Sequence, residues 1–227
     1  NDISNAGYRK RYGYLTLVNY WLERQPEYAE TPDLWKTSEQ PITAVKDAFT
    51  VFLSYMQQVQ NDDRIGLSVY TYSDGTAKVE SPLTSDYQSV EDISRQRQAG
   101  HYHSYTNIAD GLVAARQEIQ QNARPGALQL IILMTDGIAN WTSNGYSTSA
   151  ARQNVINEAN FCASIEIPVV TISLGTAADS ALMQQVADIT GGIHFNVPGG
   201  QSVSQLEDDL KDVFKQIADD RPLQLVD

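Results

Sequence analysis

The stretch Leu128-Gln129-Leu130-Ile131-Ile132-Leu133-Met134-Thr135-Asp136-Gly137 decides the fold. From Leu128 to Met134 it is apolar but for Gln129, too short for an independent helix and rich in Ile and Leu. Such a run predicts a strand covered on both faces. It stops at Thr135-Asp136-Gly137, residue types that equally suit a turn. A second run of the same character spans Ile167 to Gly175, with Pro168 placed at its start because proline cannot donate to a ladder. A helix is predicted between the two runs, from about Ser149 to Ser164.

The pattern continues in both directions. Val45, Ala48, Phe49, Phe52, Leu53, Met56 and Val59 recur at helical spacing and predict an amphipathic helix from about Thr43 to Gln60. Ile65 to Tyr70 alternates as a half-buried strand and leads past Ser73-Asp74-Gly75 to a second strand around Ala77 to Glu80, together a hairpin. Asp86 to Gln98 is polar and weakly helical. The loop Gly100 to Tyr105 then enters a helix at Thr106-Asn107, with Ile108, Leu112, Ala115 and Ile119 as its buried stripe. Ser180 to Thr190 reads as a short helix, Ile193 to Val197 as a strand, and Val203, Leu206, Leu210, Val213, Phe214 and Ile217 mark a last helix. This alternation predicts an α/β fold, a doubly wound, mostly parallel, Rossmann-like sheet with helices on both faces. The 227 residues fit a single domain of that class.

The first forty residues read differently. Tyr8, Tyr12, Tyr14, Tyr20, Trp21, Tyr28 and Trp35 are interleaved with charged residues and Pro, so residues 8–42 form an aromatic-rich insertion. A helix over 8–24 with Tyr14, Leu17, Val18 and Trp21 on one face, followed by an ordered loop, accounts for them. Tyr14 to Val18 also suits a short strand.

Composition narrows the function. With 41% apolar and 19% charged residues the chain is globular, and a formal charge of -12 repels phosphate backbones, which excludes nucleic acid as a partner. Cys162 is the single cysteine and falls on the inner face of its helix, where it reads as a small buried hydrophobe. No run approaches the roughly 18 consecutive apolar residues of a membrane span, and the start lacks a signal-peptide pattern.

In an open α/β sheet, ligands collect outside the carboxyl ends of the strands. Asp136 follows the most apolar strand, and Thr106 opens a helix whose preceding loop belongs on the same rim. A carboxylate and a hydroxyl there are hard oxygen donors that suit Mg²⁺ better than Zn²⁺. Alone, Thr106 is equally a helix N-cap. The segments Ser104-Tyr105-Thr106-Asn107-Ile108-Ala109-Asp110-Gly111-Leu112 and Leu130 to Gly137 resemble the von Willebrand factor A family. So do Arg64 to Tyr70, Pro82-Leu83-Thr84-Ser85-Asp86 and Ile189-Thr190-Gly191-Gly192, in matching order from Pro41 onward. The resemblance implies a metal-ion-dependent adhesion site, to which Thr106 and Asp136 contribute. It also implies Mg²⁺, with Mn²⁺ or Ca²⁺ as substitutes, and a protein partner that offers the metal an acidic side chain.

The family's first motif, Asp-x-Ser-x-Ser after the first strand, has no clear counterpart. Asp2-Ile3-Ser4-Asn5-Ala6 has the Asp-x-Ser spacing but ends in Ala6, and no apolar strand precedes it. In the family the first strand lies beside the strand ending at Asp136, and nothing before Pro41 reads as a buried central strand. The expectation is therefore an additional strand between Ile65–Tyr70 and Leu128–Met134, supplied from upstream of Asn1 or by another chain. If Asp2 and Ser4 are the first motif instead, a metal-free interaction module with a degenerate site becomes the alternative.

A phosphoacceptor enzyme using Asp136 is a third reading, but it needs a cationic clamp, and Asp136 is followed by no Lys or Arg before Arg152. His101-x-His103 lacks further ligands at metal spacing and reads as a solvated loop. Asn140-Trp141-Thr142 fits a glycosylation sequon, and Trp141, Tyr146 and Tyr105 suit an aromatic rim around the metal. The aromatic insertion and the second half resemble bacterial pilus-assembly or cell-envelope members, which implies an extracytoplasmic place.

Overall fold

The computed structural model describes residues 36, 41–58, 62–70, 77–98, 105–199 and 202–219. The first described helix, α1 (Ile42–Gln58), turns Ala44, Ala48, Phe52, Leu53 and Met56 inward, as their spacing dictates. The hairpin follows as β1 (Ile65–Tyr70) and β2 (Ala77–Thr84), antiparallel and bulged near Leu67, with β2 running four residues beyond its predicted end. Asp86 caps α2 (Tyr87–Gln96), a firmer helix than its polar sequence suggests, because Tyr87 and Val90 anchor it in the core. The buried Lys46 ammonium donates to the Arg97 carbonyl at 2.9 Å, just past the C-terminus of α2.

The second half alternates as predicted. Its elements are α3 (Ile108–Asn122), β3 (Ile131–Thr135), the short hairpin β4 (Trp141–Thr142) and β5 (Gly145–Tyr146), α4 (Thr148–Ser164), β6 (Val169–Leu174), α5 (Ser180–Thr190), β7 (His194–Val197) and α6 (Val203–Asp219). Strands β3, β6 and β7 form a parallel sheet in that order, with Ile131 opposite Val169 and Thr171 opposite His194. Gly192 lets the chain turn into β7, since a Cβ there would lie 2.1 Å from the Val169 carbonyl oxygen.

Two cores flank this sheet. On one face α1, α2 and α6 pack Phe52, Leu53, Val90, Leu210 and Phe214 against Val170 and Ile172. On the other, α3, α4 and α5 pack Leu112, Val155, Cys162, Leu182 and Met183 against Ile131, Leu133 and Val169. This is the doubly wound α/β arrangement. Burial pushes the Cys162 thiol up to about 11, the Glu158 charge adds to the rise and Arg116 opposes it, as befits a structural cysteine.

The apolar run at 128–134 is shorter as a strand than expected. Leu128 and Leu130 are exposed, at 58% and 39%, and pairing with β6 begins only at Ile131, whose N–H reaches the Pro168 carbonyl at 3.1 Å. Hydropathy marked the run, but the start of its neighbour set the strand's beginning.

Strands β1 and β3 do not pair with each other, and among the described residues β1 pairs only with β2, and β3 only with β6. All six residues of β1 are half-buried rather than alternating. Helix α3 packs on β1, β2 and β3, so the two pieces of sheet share one helix layer. Tyr70, at the end of β1, reaches across, with its ring against Gly111 of α3 and its hydroxyl donating to the Met134 carbonyl at 2.6 Å. The aromatic insertion, Asp2, Ser4, His101 and His103 lie outside the described residues.

Candidate metal centre

The carboxyl end of β3 places Asp136 on the surface, one residue beyond the buried Thr135. Thr135 turns its hydroxyl onto Gly137, within 3.3 Å of both the Gly137 nitrogen and its carbonyl oxygen, so the chain bends sharply under Asp136. Thr106 approaches from the loop before α3. Its Oγ1 stands 3.6 Å from where a Cβ on Gly137 would be, which shows how closely the two loops meet.

The sequence left open whether Thr106 caps α3. It does not: Asn107 is the N-cap, and its side chain accepts from the Asp110 N–H at 3.4 Å. The Thr106 hydroxyl is therefore not committed to capping. Burial lifts the Asp110 carboxyl above the usual carboxylate range, and the hydrogen bond from the Asn107 amide opposes that lift.

Three backbone-centred bonds clasp the loops together. The Thr106 N–H donates to Asn140 Oδ1 at 2.8 Å, while the Asn140 and Trp141 N–H groups donate to the Thr106 carbonyl at 3.0 and 3.3 Å. Asn140-Trp141-Thr142 is thus built into the fold, because Thr142 is also buried and its hydroxyl donates to the Gly145 carbonyl at 3.1 Å. Tyr105 stacks on Trp141 with ring centroids 4.6 Å apart and meets Tyr146 edge-on at 5.9 Å. Tyr146 is 62% exposed, so the three rings form a partly open layer next to the Thr106 loop.

Two further residues come to this end of the sheet unannounced by the sequence. Burial holds the Tyr70 phenol well above its usual range, and Asp136 adds to that rise from nearby while a hydrogen bond with Thr135 opposes it. Asp179 caps α5, donates its own N–H to the Gly137 carbonyl at 3.3 Å and forms an ion pair with Arg152. These pairings join residues tens of positions apart, so no local pattern could have signalled them.

The site as described offers one exposed carboxylate and one hydroxyl, both hard oxygens. Among the described residues no group of three or more His, Cys, Asp or Glu converges. Two protein oxygens suit a cation that keeps most of its water, as Mg²⁺ does, and do not suit a cage built for Zn²⁺.

No curated protein sequence matches the chain significantly. Solved structures share its fold at low identity. An aerotolerance-related membrane protein from Bacteroides fragilis superposes with a TM-score of 0.58 at 16% identity, over 78% of this chain and 90% of its own. The PilB minor pilin of Streptococcus sanguinis gives 0.61 at 15%, over 81% and 55%. Proximal thread matrix protein 1 from the mussel byssus, solved with a zinc-occupied MIDAS motif, gives 0.51 at 18%, over 74% and 42%. The model of the von Willebrand factor type A domain matches residues 35–209, which takes in α1 and nearly all that follows it. By that match the chain belongs to the von Willebrand factor type A domain family.

Proposed function

We propose that this domain binds a protein partner through a divalent cation, Mg²⁺ by the chemistry of its donors, held by Thr106 and Asp136. The observation that carries the reading is the meeting of these two oxygens at the carboxyl end of β3, with the Thr106 hydroxyl not spent on capping α3. The metal would supply an electrophilic centre whose open position accepts an acidic side chain of the partner. The Tyr105, Trp141 and Tyr146 layer gives that partner an aromatic surface beside the cation. A neighbour of the same fold solved with a zinc-occupied MIDAS motif supports reading a metal site here.

A strand inserted between β1 and β3 would end beside Asp136, and the remaining ligands belong at that end. The whole chain then reads as one domain, with residues 8–42 an insertion bordering the metal face. The role is binding rather than catalysis: Arg152, the first cation after Asp136 in sequence, is held by Asp179, so it makes no phosphate clamp. A cell-envelope location is supported by neighbours described as a membrane protein and a minor pilin.

Calorimetric titration with Mg²⁺ tests the site. Asp136→Ala is expected to abolish binding at a stability cost within about 0.5 kcal/mol, because the residue is exposed. Thr106→Ala is expected to weaken it. Undiminished Mg²⁺ binding by Asp136→Ala would remove the assignment, and an unresponsive parent protein would favour the metal-free alternative.

A further inference from the structure

Asn140 is half-buried in the middle of the loop contacts, and no function has yet been assigned to it. Its side chain and its main chain both address one residue, Thr106: Oδ1 accepts the Thr106 N–H at 2.8 Å, and the Asn140 N–H returns a bond to the Thr106 carbonyl at 3.0 Å. The two bonds form a closed ring that fixes both ends of the Thr106 backbone unit. A third bond makes Asn140 a junction, since its carbonyl accepts the Ser147 N–H at 3.0 Å and so closes the β4–β5 hairpin that carries Trp141 and Tyr146.

Chain geometry gives the ring its consequence. Asn140 lies four residues after Asp136 in a short, bent segment, so holding Thr106 to Asn140 holds it to Asp136. Thr106 lies outside α3, ahead of its N-cap Asn107, so the helix does not fix it. A hydroxyl ligand that must stand within a few tenths of an ångström of a cation needs its backbone fixed by something, and outer groups of this kind commonly set metal affinity.

We infer that Asn140 is a positioning residue for the cation site, fixing Thr106 relative to Asp136 through its paired bonds to the Thr106 backbone. This rests on the reading of Thr106 and Asp136 as ligands. Stacking of Tyr105 on Trp141 extends the same clasp by one residue on each side, so the aromatic layer and the Thr106 hydroxyl move together.

The test uses the whole chain with Asn140→Ala and Asn140→Asp, followed by amide hydrogen exchange at Thr106 and by titration with Mg²⁺ alone. Asn140→Ala removes the acceptor, and the Thr106 amide is expected to exchange at least tenfold faster while Mg²⁺ affinity falls about tenfold. Asn140→Asp keeps an acceptor at the same place and is expected to restore both, a rescue that mere loss of hairpin stability would not give. Should Asn140→Ala not fold, Asn140→Ser keeps the main-chain bonds with a hydroxyl too short to reach the Thr106 N–H, and the same two changes are expected.

Unchanged Thr106 exchange in the Ala or Ser variant overturns the clasp. Faster exchange with unchanged Mg²⁺ affinity overturns its role at the cation. If the parent protein binds no Mg²⁺, the ligand reading fails and with it the cation role, while the exchange result still decides whether Asn140 holds Thr106.

Discussion

Thr106 and Asn107 are adjacent polar residues, either of which suits the cap of a helix, and the fold gives them different tasks. The Asn107 side chain turns back onto Asp110, which leaves the Thr106 hydroxyl facing Gly137. The sequence offered Thr106 as the cap and could not see that Asn107 takes the role while Asn140 reaches across from another loop to hold the Thr106 backbone. His194 shows the same limit. The Thr171 hydroxyl donates to the Met183 carbonyl at 3.0 Å, so it accepts Nδ1–H from His194 at 2.9 Å, and Nε2 then accepts from the Ser180 hydroxyl at 3.0 Å. Burial depresses the affinity of this imidazole for a proton, against the opposing pull of its Thr171 bond and of Asp188. The unfolded chain takes up that proton near pH ~6.5. Stability should therefore hold above that pH and decline as pH falls from there toward the lower native value. Urea midpoints of the parent protein are expected to drop between pH 7.5 and 5.5 more steeply than those of His194→Gln; equal slopes would rule His194 out as the cause.

At the scale of elements, apolar spacing located α1, α3 and α6 to within a few residues, since a 3.6-residue period can be read without knowing the neighbour, whereas the polar α2 was only weakly marked. Strand ends were less legible, as β3 shows by starting where β6 begins to pair. The joint between α3 and α4 was not legible at all. Arg116 pairs with Glu158, donates to Gln120 at 2.6 Å and lies 4.4 Å from the centroid of the Phe161 ring, with its side chain only 11% exposed. Charged residues on two predicted helices give no hint that they face each other. Glu158→Ala would leave the guanidinium without its carboxylate and is expected to cost about 3 kcal/mol in urea unfolding. Arg116→Met with Glu158→Leu, which replaces the pair by apolar bulk, should recover most of that loss. If the double variant proves as unstable as Glu158→Ala, the cost does not arise from an orphaned charge.

For the whole molecule, the space between β1 and β3 is the main consequence. Successive residues of a strand direct their N–H and C=O groups to opposite sides. Because the Ile131 N–H points to β6, those of Ile132 and Met134 point away, toward β1. Tyr70 satisfies the Met134 carbonyl only. Among the described residues no strand pairs with this edge of β3, and a strand there would stabilise the molecule through several bonds at once, since a buried backbone group without a partner costs about 1–3 kcal/mol. In the native protein the Ile132 and Met134 amides are expected to exchange with solvent as slowly as those of Val170 and Ile172 in β6. Rapid exchange at Ile132 and Met134 beside slow exchange in β6 would count against the inserted strand.

The sequence by itself determined the alternation of strands and helices and the doubly wound class, because these are written in local periodicity, and its contiguous motifs named Thr106 and Asp136 as the candidate ligands proposed above. Only the tertiary structure decided that Asn107 and not Thr106 caps α3, that Asn140 clasps Thr106, that Tyr70 crosses to Met134, and that Arg152 is held by Asp179. Apart from the local Asn107 cap, each of these is a contact between distant segments. Its energy depends on positions set by the packing of the two cores, and nothing in the chain near either partner encodes that position.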